Sequence, residues 1–338
     1  MSPEISLLQP RPLNGVIQFF LQDISPTLRG LSLLGSPQTD LNPNFEYDII
    51  RGNRDLSGPN APNNEAKKLD HIVYQKLTGS YIYLRDKKTF NATTLRWLRE
   101  PGNTEVIRRN AERAVMNELV DMENRQKRYM EWVVWQMFSG EFTYTAEGGA
   151  TSTINYGVRS AHKPTGIDWG NASSDPIGNV AAWRRMIERD SGASPTMAYL
   201  NNVTMTKLLK HPIVNGRDNK PGLLSDQQKQ RYTTEFMLPR LWGLDWVQYD
   251  GGHITKDDMG RDVYNPFIPD DVVIVLAPEN NPWAMKYGPV ADLSAPPGST
   301  GGFAKSWIDE DPSGRQFLME KTFVPCLFRP DQVVYATV

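Results

Sequence analysis

The sequence predicts an α+β protein built of two lobes, with extensions that reach beyond them. Three observations lead there. Residues 104–138, "TEVIRRNAERAVMNELVDMENRQKRYMEWVVWQMF", run for about ten helical turns without Pro or Gly, which predicts one helix roughly 50 Å long. Two runs, "FEYDIIR" (45–51) and "HIVYQKLTGSYIYLRD" (71–86), are rich in β-branched and aromatic residues and read as strands. From about residue 175 to 310, helical and strand-like patterns alternate, as they do in a separate α/β lobe. A chain of 338 residues exceeds the usual size of one compact unit.

Residues 1–44 hold short apolar pieces, "GVIQFFLQDI" and "LRGLSLLG", broken by Pro, Gly and Asn. Such a segment cannot close a core of its own, so it lies across the rest of the fold or across a neighbouring chain. The two strand-like runs flank a polar, turn-forming stretch, "GNRDLSGPNAPNNEAKKLD", and together predict a projecting hairpin over 45–90. The long helix is entered through "PGNT", with Asn103 or Thr104 as N-cap. Ile107, Ala111, Val115, Leu119, Met122, Tyr129, Val133 and Met137 recur at helical spacing on one face, while Arg109, Glu112, Arg113, Lys127 and Glu131 occupy the other. The last turns, "WVVWQMF", are apolar all round and predict full burial. Next comes a hairpin around Gly148-Gly149. "DPIGNVAAWRRMIERDSG" reads as an amphipathic helix, "PTMAYLN" as a strand and "NVTMTKLLKHP" as a short helix. "LSDQQKQRYTTEFMLPRLWG" is helical in its first half, and "LDWVQYDG", "DVVIVLA" and "WAMKYG" are strands. The ending, "RQFLMEKTFVPCLFRPDQVVYATV", is mostly strand.

Composition narrows the function. With 37 basic and 39 acidic residues the net charge is −2, so the chain lacks the basic surplus of a protein that grips nucleic acid by releasing counterions. Cys326 stands alone, which leaves no internal disulfide and no cysteine-rich zinc site, and suits a reducing compartment. No apolar run is long enough to span a bilayer, and the first residues lack the basic and apolar regions of a secretory signal. The expected setting is the cytosol.

The residues that could carry chemistry do not assemble into a site. "GSTGGFAKS" (298–306) is superficially like a phosphate-binding loop, but the required glycine positions hold Ala304 and Ser299, so it reads as a plain loop. His253 with Asp257 and Asp258 could serve a metal-dependent hydrolase, yet metal sites need three or more converging ligands and the flanking glycines indicate a hairpin tip. His71, His162 and His211 show no ligand spacing, and Cys326 sits in an apolar strand as an inert thiol. The expectation is no catalytic residue, no metal and no cofactor. Of the nine Trp residues, Trp132, Trp135, Trp242 and Trp246 read as core or as interface anchors.

The order of elements and three passages carry a resemblance. The passages are "RRNAERAVMNELVDMENRQKRYMEWVVWQMFSGEFTYTAEG", "NPFIPDDVVIVLAPEN" and the ending "DEDPSGRQFLMEKTFVPCLFRPDQVVYATV". From about residue 45 onward the chain resembles the major capsid proteins of tailed bacteriophages, more closely the lambda-type capsid protein E family, whose fold is HK97-like. The resemblance implies an N-terminal arm (1–44), an extended loop (45–90), and a peripheral domain (91–174 and 311–338) with a spine helix (104–138). It also implies an axial α/β domain (175–310). Arg51, Arg54, Lys67 and Lys68 would lie near the loop tip and, with Phe19, Phe20 and Leu31 of the arm, would contact neighbouring copies. The implied partners are the chain itself, as pentamers and hexamers of an icosahedral head, with a portal and a separate scaffold protein, since no long charged helical region precedes the arm. A decoration protein and packaged double-stranded DNA, held without sequence-specific binding, belong to the same picture, and a membrane does not. The location would be the virion, after assembly in the host cytoplasm. An encapsulin-like shell around protein cargo, a metal-dependent hydrolase and another virion part are the alternatives.

Overall fold

The computed structural model describes residues 28–52, 56–60, 62, 65, 68, 74–91, 104–146, 149–217, 220–222, 224, 240–310 and 313–338. In chain order these form α1 (Arg29–Leu33), β1 (Gly35–Thr39), β2 (Asn44–Ile50), β3 (Tyr74–Ser80), β4 (Ile82–Asn91), α2 (Thr104–Ser139), β5 (Glu141–Thr145) and β6 (Thr151–Asn155). There follow α3 (Pro176–Ser191), β7 (Met197–Leu200), α4 (Asn202–Lys210), α5 (Pro212–Asn215), and the two-residue strands β8 (Gly216–Arg217) and β9 (Lys220–Pro221). The last elements are β10 (Asp245–Gln248), β11 (Gly252–Lys256), β12 (Asp262–Pro266), β13 (Val272–Leu276), β14 (Trp283–Tyr287), β15 (Gly302–Glu310), β16 (Ser313–Leu327) and β17 (Val333–Thr337).

The chain divides into two compact units. The first comprises residues up to Phe45, Thr78–Trp132 and Ala284–Pro325. Its sheet has the order β1-β14-β16-β15, with β4 also paired to β16. The fifteen-residue β16 is its axis, antiparallel to β15 from Ser313 to Lys321 and to β4 from Gly314 to Phe323. Phe90, Phe317 and Met319 of the sheet pack with Leu119 and Met122 of α2. Charge lies inside this unit too. Lys321 of β16 is fully buried and its Nζ stands 2.6 Å from Glu123 Oε1 of α2. Lys127 and Glu131, expected on the solvent side of the helix, are buried as well, because strand and arm residues cover that side. The helix extends without interruption over 104–139, as its sequence predicts.

The second unit comprises Glu46–Leu77, Val133–Trp283 and Cys326–Val338. Its four-stranded sheet, β10-β7-β13-β17, joins a parallel pair (β10, β7) to two antiparallel neighbours. β13, "VVIVL", is buried at every position, as a central strand covered on both faces must be. Asp175 caps α3 by accepting from Gly178 N–H at 3.0 Å, and Gly192 ends it with φ of 81°, a conformation that costs glycine no Cβ clash. Trp183 of α3 stacks on Trp169 at 5.8 Å within a core of Val180, Ile187, Leu200 and Val273. The final helical turns bring Trp135 against Tyr199 and Tyr249.

Four expectations need correction. Leu31, expected as an assembly contact, is only 8% exposed, and of the two placements open to the arm, residues 28–39 take the one across the rest of the fold, with β1 paired in parallel to β14. The hairpin assigned to 45–90 ends at Ser80, because β4 pairs with β16 in the large sheet. The glycine-rich stretch before Lys305 is not a plain loop throughout; from Gly302 it is strand, with Phe303 and Ala304 buried. The last strand, assigned with the long-helix lobe, pairs with β13 and completes the second unit's sheet. The helix expected in "LSDQQKQRYTTEFMLPRLWG" falls almost entirely outside the described residues.

Candidate functional site

The sequence proposed surfaces rather than a catalytic centre, and the first is the loop rooted in β2. Alternation along "NFEYDII" buries Phe45, Tyr47 and Ile49 and exposes Glu46 and Asp48. Close approach explains Gly79 in β3: a Cβ there would lie 2.8 Å from the Phe45 ring. The root is pinned in the second unit. Ile50 N–H donates to Phe328 O at 2.8 Å, Gly52 N–H donates to Asp331 Oδ2 at 3.1 Å, and the Tyr47 ring meets Phe328 edge-on at 5.5 Å. Burial pushes the Tyr47 phenol well above its usual range. Beyond the root, residues 56–60 and Lys68 are exposed.

Arg51 is not at the tip. It ends the root, where its Nη2 donates to Gln75 Oε1 (3.3 Å) and Gly157 O (3.4 Å), so that nitrogen is engaged inside the chain. Arg54, Lys67, Phe19 and Phe20 lie outside the described residues.

A second surface was not anticipated. β11 and β12 form a two-stranded ribbon in the second unit, with Ile254 paired to Tyr264 across the strands. Ile254 is 64% exposed, Tyr264 54% and Met259 at the turn 79%. Asp257 makes the turn rigid: its Oδ1 accepts from Met259 N–H and Arg261 N–H, and its Oδ2 binds the Arg261 side chain at 2.8 Å. These bonds, the Arg261 amide foremost, hold its carboxyl below the usual carboxylate range. The ribbon thus presents exposed apolar side chains on a turn fixed by Asp257. The alternating Ile, Val and Tyr around "KDDMGRD" carried that signal, but reading the segment for metal ligands obscured it. His253 instead stacks on Phe267 at 5.9 Å, and burial lowers its pKa. Among the described residues no three His, Cys, Asp or Glu side chains gather as metal ligands.

A third exposed feature is Leu293 in the first unit. Its neighbour Asp292 is buried and paired with Lys305 at 2.6 Å and Arg85 at 3.4 Å. Burial pushes the Asp292 carboxyl up, but Lys305 and the Ser294 bonds outweigh it and the net shift is downward. The loop that presents Leu293 is thus tethered by charge. Among the described residues, no helix is long and apolar enough to cross a membrane.

A 36-residue helix with strands and helices divided between two compact units is the architecture of the HK97-like fold class. Solved structures with this architecture match nearly the whole chain. A prophage protein from Escherichia coli CFT073, ascribed to the capsid, matches with a TM-score of 0.62 at 16% identity, covering 96% of this chain and 98% of its own. The capsid of cyanophage P-SCSP1u matches with a TM-score of 0.51 at 10% identity, covering 89% and 85%. The holo-SrpI encapsulin complex of Synechococcus elongatus PCC 7942 matches with a TM-score of 0.50 at 9% identity, covering 94% and 88%. No curated protein is significantly similar in sequence. Residues 37–338 match the family model of phage major capsid protein E, and the chain belongs to that family. It is a structural protein of the viral head shell, built of copies of itself, and not an enzyme.

Proposed function

We propose that this chain forms the pentamers and hexamers of an icosahedral phage head that encloses double-stranded DNA, assembling on a separate scaffold protein and a portal. In this reading the helix over 104–138 is the spine of a peripheral region and residues 175–310 form the axial region. The loop between β2 and β3, with Arg54, Lys67 and Lys68, reaches a neighbouring copy. The arm residues Phe19 and Phe20 do the same, and a decoration protein binds the outer surface of the shell. The observation that carries the proposal is the family match over residues 37–338. The exposed apolar ribbon at Ile254, Met259 and Tyr264 supports it, because head-to-tail contacts that close into rings require such faces. A near-neutral net charge also suits a container that holds DNA without binding it tightly.

The test is the content of purified particles. Nuclease-protected double-stranded DNA is the expected cargo. Particles that hold a folded enzyme and no protected DNA would favour the encapsulin-like alternative.

A further inference from the structure

The root of the arm is held by an unusual contact. Glu131 of α2 is completely buried, and two consecutive backbone amides converge on it. Gly30 N–H donates to Oε1 and Leu31 N–H donates to Oε2, each at 2.7 Å. Both amides lie in the first turn of α1, where a helix has no acceptors of its own. The residue preceding α1, Leu28, offers no capping side chain. A carboxylate one hundred positions away in sequence therefore caps this helix, and bonds to a charged acceptor are stronger than neutral ones.

Beyond α1 the same strap is secured again, by β1 on β14 and by Asp40 to Lys286 at 2.9 Å. Between the two fastenings lies a cavity of about 110 Å³ whose walls include Leu31, Leu34, Met130 and Met285 and also Lys127 and Lys321. Apolar packing beneath the strap is incomplete there, which raises the share of its placement carried by the polar fastenings at its ends.

We propose that Glu131 is a positioning residue for shell assembly: it fixes the place and direction of the chain at Gly30 and Leu31, to which residues 1–27 are joined in sequence. The inference rests on the reading that those residues contact a neighbouring copy. Only a carboxylate suits the position, because a glutamine would turn an NH2 group toward one of the two N–H donors.

The experiment compares the full-length wild type, Glu131→Gln, Glu131→Asp and a chain lacking residues 2–27, by hydrogen exchange, trypsin cleavage after Arg29 and electron microscopy. In the wild type the Gly30 and Leu31 amides are expected to be protected. In Glu131→Gln their exchange should accelerate about tenfold or more, trypsin should cut after Arg29, and closed shells should be lost or misshapen, while Val273 and Val275 stay protected. Glu131→Asp, one methylene shorter, should fall between. Unprotected Gly30 and Leu31 in the wild type would overturn the inference without any variant, as would regular shells from Glu131→Gln despite a released strap. Should Glu131→Gln not fold, the aspartate variant decides by the same two readings. Normal shells from the truncated chain would instead defeat the arm reading, and the exchange result would still report on the contact by itself.

Discussion

The two units stabilise themselves by different means. In the second, the main core is aromatic and aliphatic, with Trp169, Trp183 and Trp246 against a sheet whose strand β13 is all Val, Ile and Leu. Its buried polar residues include the uncharged Asn201, Thr204 and Gln332. In the first, α2 and β16 bring Glu123, Lys127, Glu131, Glu320 and Lys321 into the interior alongside Phe90, Phe317 and Met319. Apolar burial is non-directional and tolerates small shifts, whereas a buried charge demands its partner at one distance and angle. The contrast teaches that the first unit gives up apolar area to fix geometry, and that what it fixes includes the strap at the base of the arm. In an assembling protein, that is the place where a small error in direction is multiplied across every copy.

The largest effects should come from the two interiors, and they should be of similar size. Trp183→Ala should cost about 3–5 kcal/mol in urea unfolding, and no single neighbouring substitution should restore it, because the loss is volume and contact area. In the charged unit the pattern should differ in kind. Burial pushes the Lys321 pKa down while Glu123 opposes the shift, so the ammonium depends on its partner. Glu123→Ala should cost about 3–5 kcal/mol, yet Glu123→Leu combined with Lys321→Met should recover most of it. If the double variant were as unstable as the single one, the distinction between the two interiors would collapse.

A smaller effect separates the units by pH. Asp190, in the second unit, is lowered to about 2, chiefly by its hydrogen bond from Arg189, against the opposing effect of burial and with help from His162 at 3.0 Å. A folded pKa below the unfolded value of 3.8 contributes stability above pH 3.8 that is lost as pH falls toward 2. Asp190→Asn should therefore destabilise the protein by about 2 kcal/mol at neutral pH and by almost nothing near pH 2, measured by denaturant titration at each pH. The smallest is local. Asp175→Ala, which removes the cap of α3, should cost about 1 kcal/mol, and Asp175→Asn should restore most of it.

Much of this architecture was legible in the sequence. The long helix could be read because nothing in it breaks a helix, and α3 because an Asp-Pro entry and a Gly exit bracket an amphipathic run. β13 could be read as a buried strand from five consecutive branched side chains. The interior charges could not. Lys127 and Glu131 fall at the spacing of a solvated helix face, and only tertiary neighbours, the strap above all, turn that face inward. β15 was hidden by the glycines that lead into it, which read as a loop, whereas from Gly302 a fifteen-residue partner strand supplies the backbone bonds. Arg51 looked like a tip residue because sequence cannot show that Gly157 O lies within its reach. The ribbon at 252–266 was recognised as a turn but not as a contact surface, since exposure depends on what the rest of the fold leaves uncovered.

The most direct measurement is electron microscopy of the purified chain, alone and co-expressed with a candidate scaffold protein, over a range of concentrations. Uniform closed shells built from this one polypeptide are the outcome the account requires. A protein that stays a monodisperse monomer under every one of those conditions would contradict it.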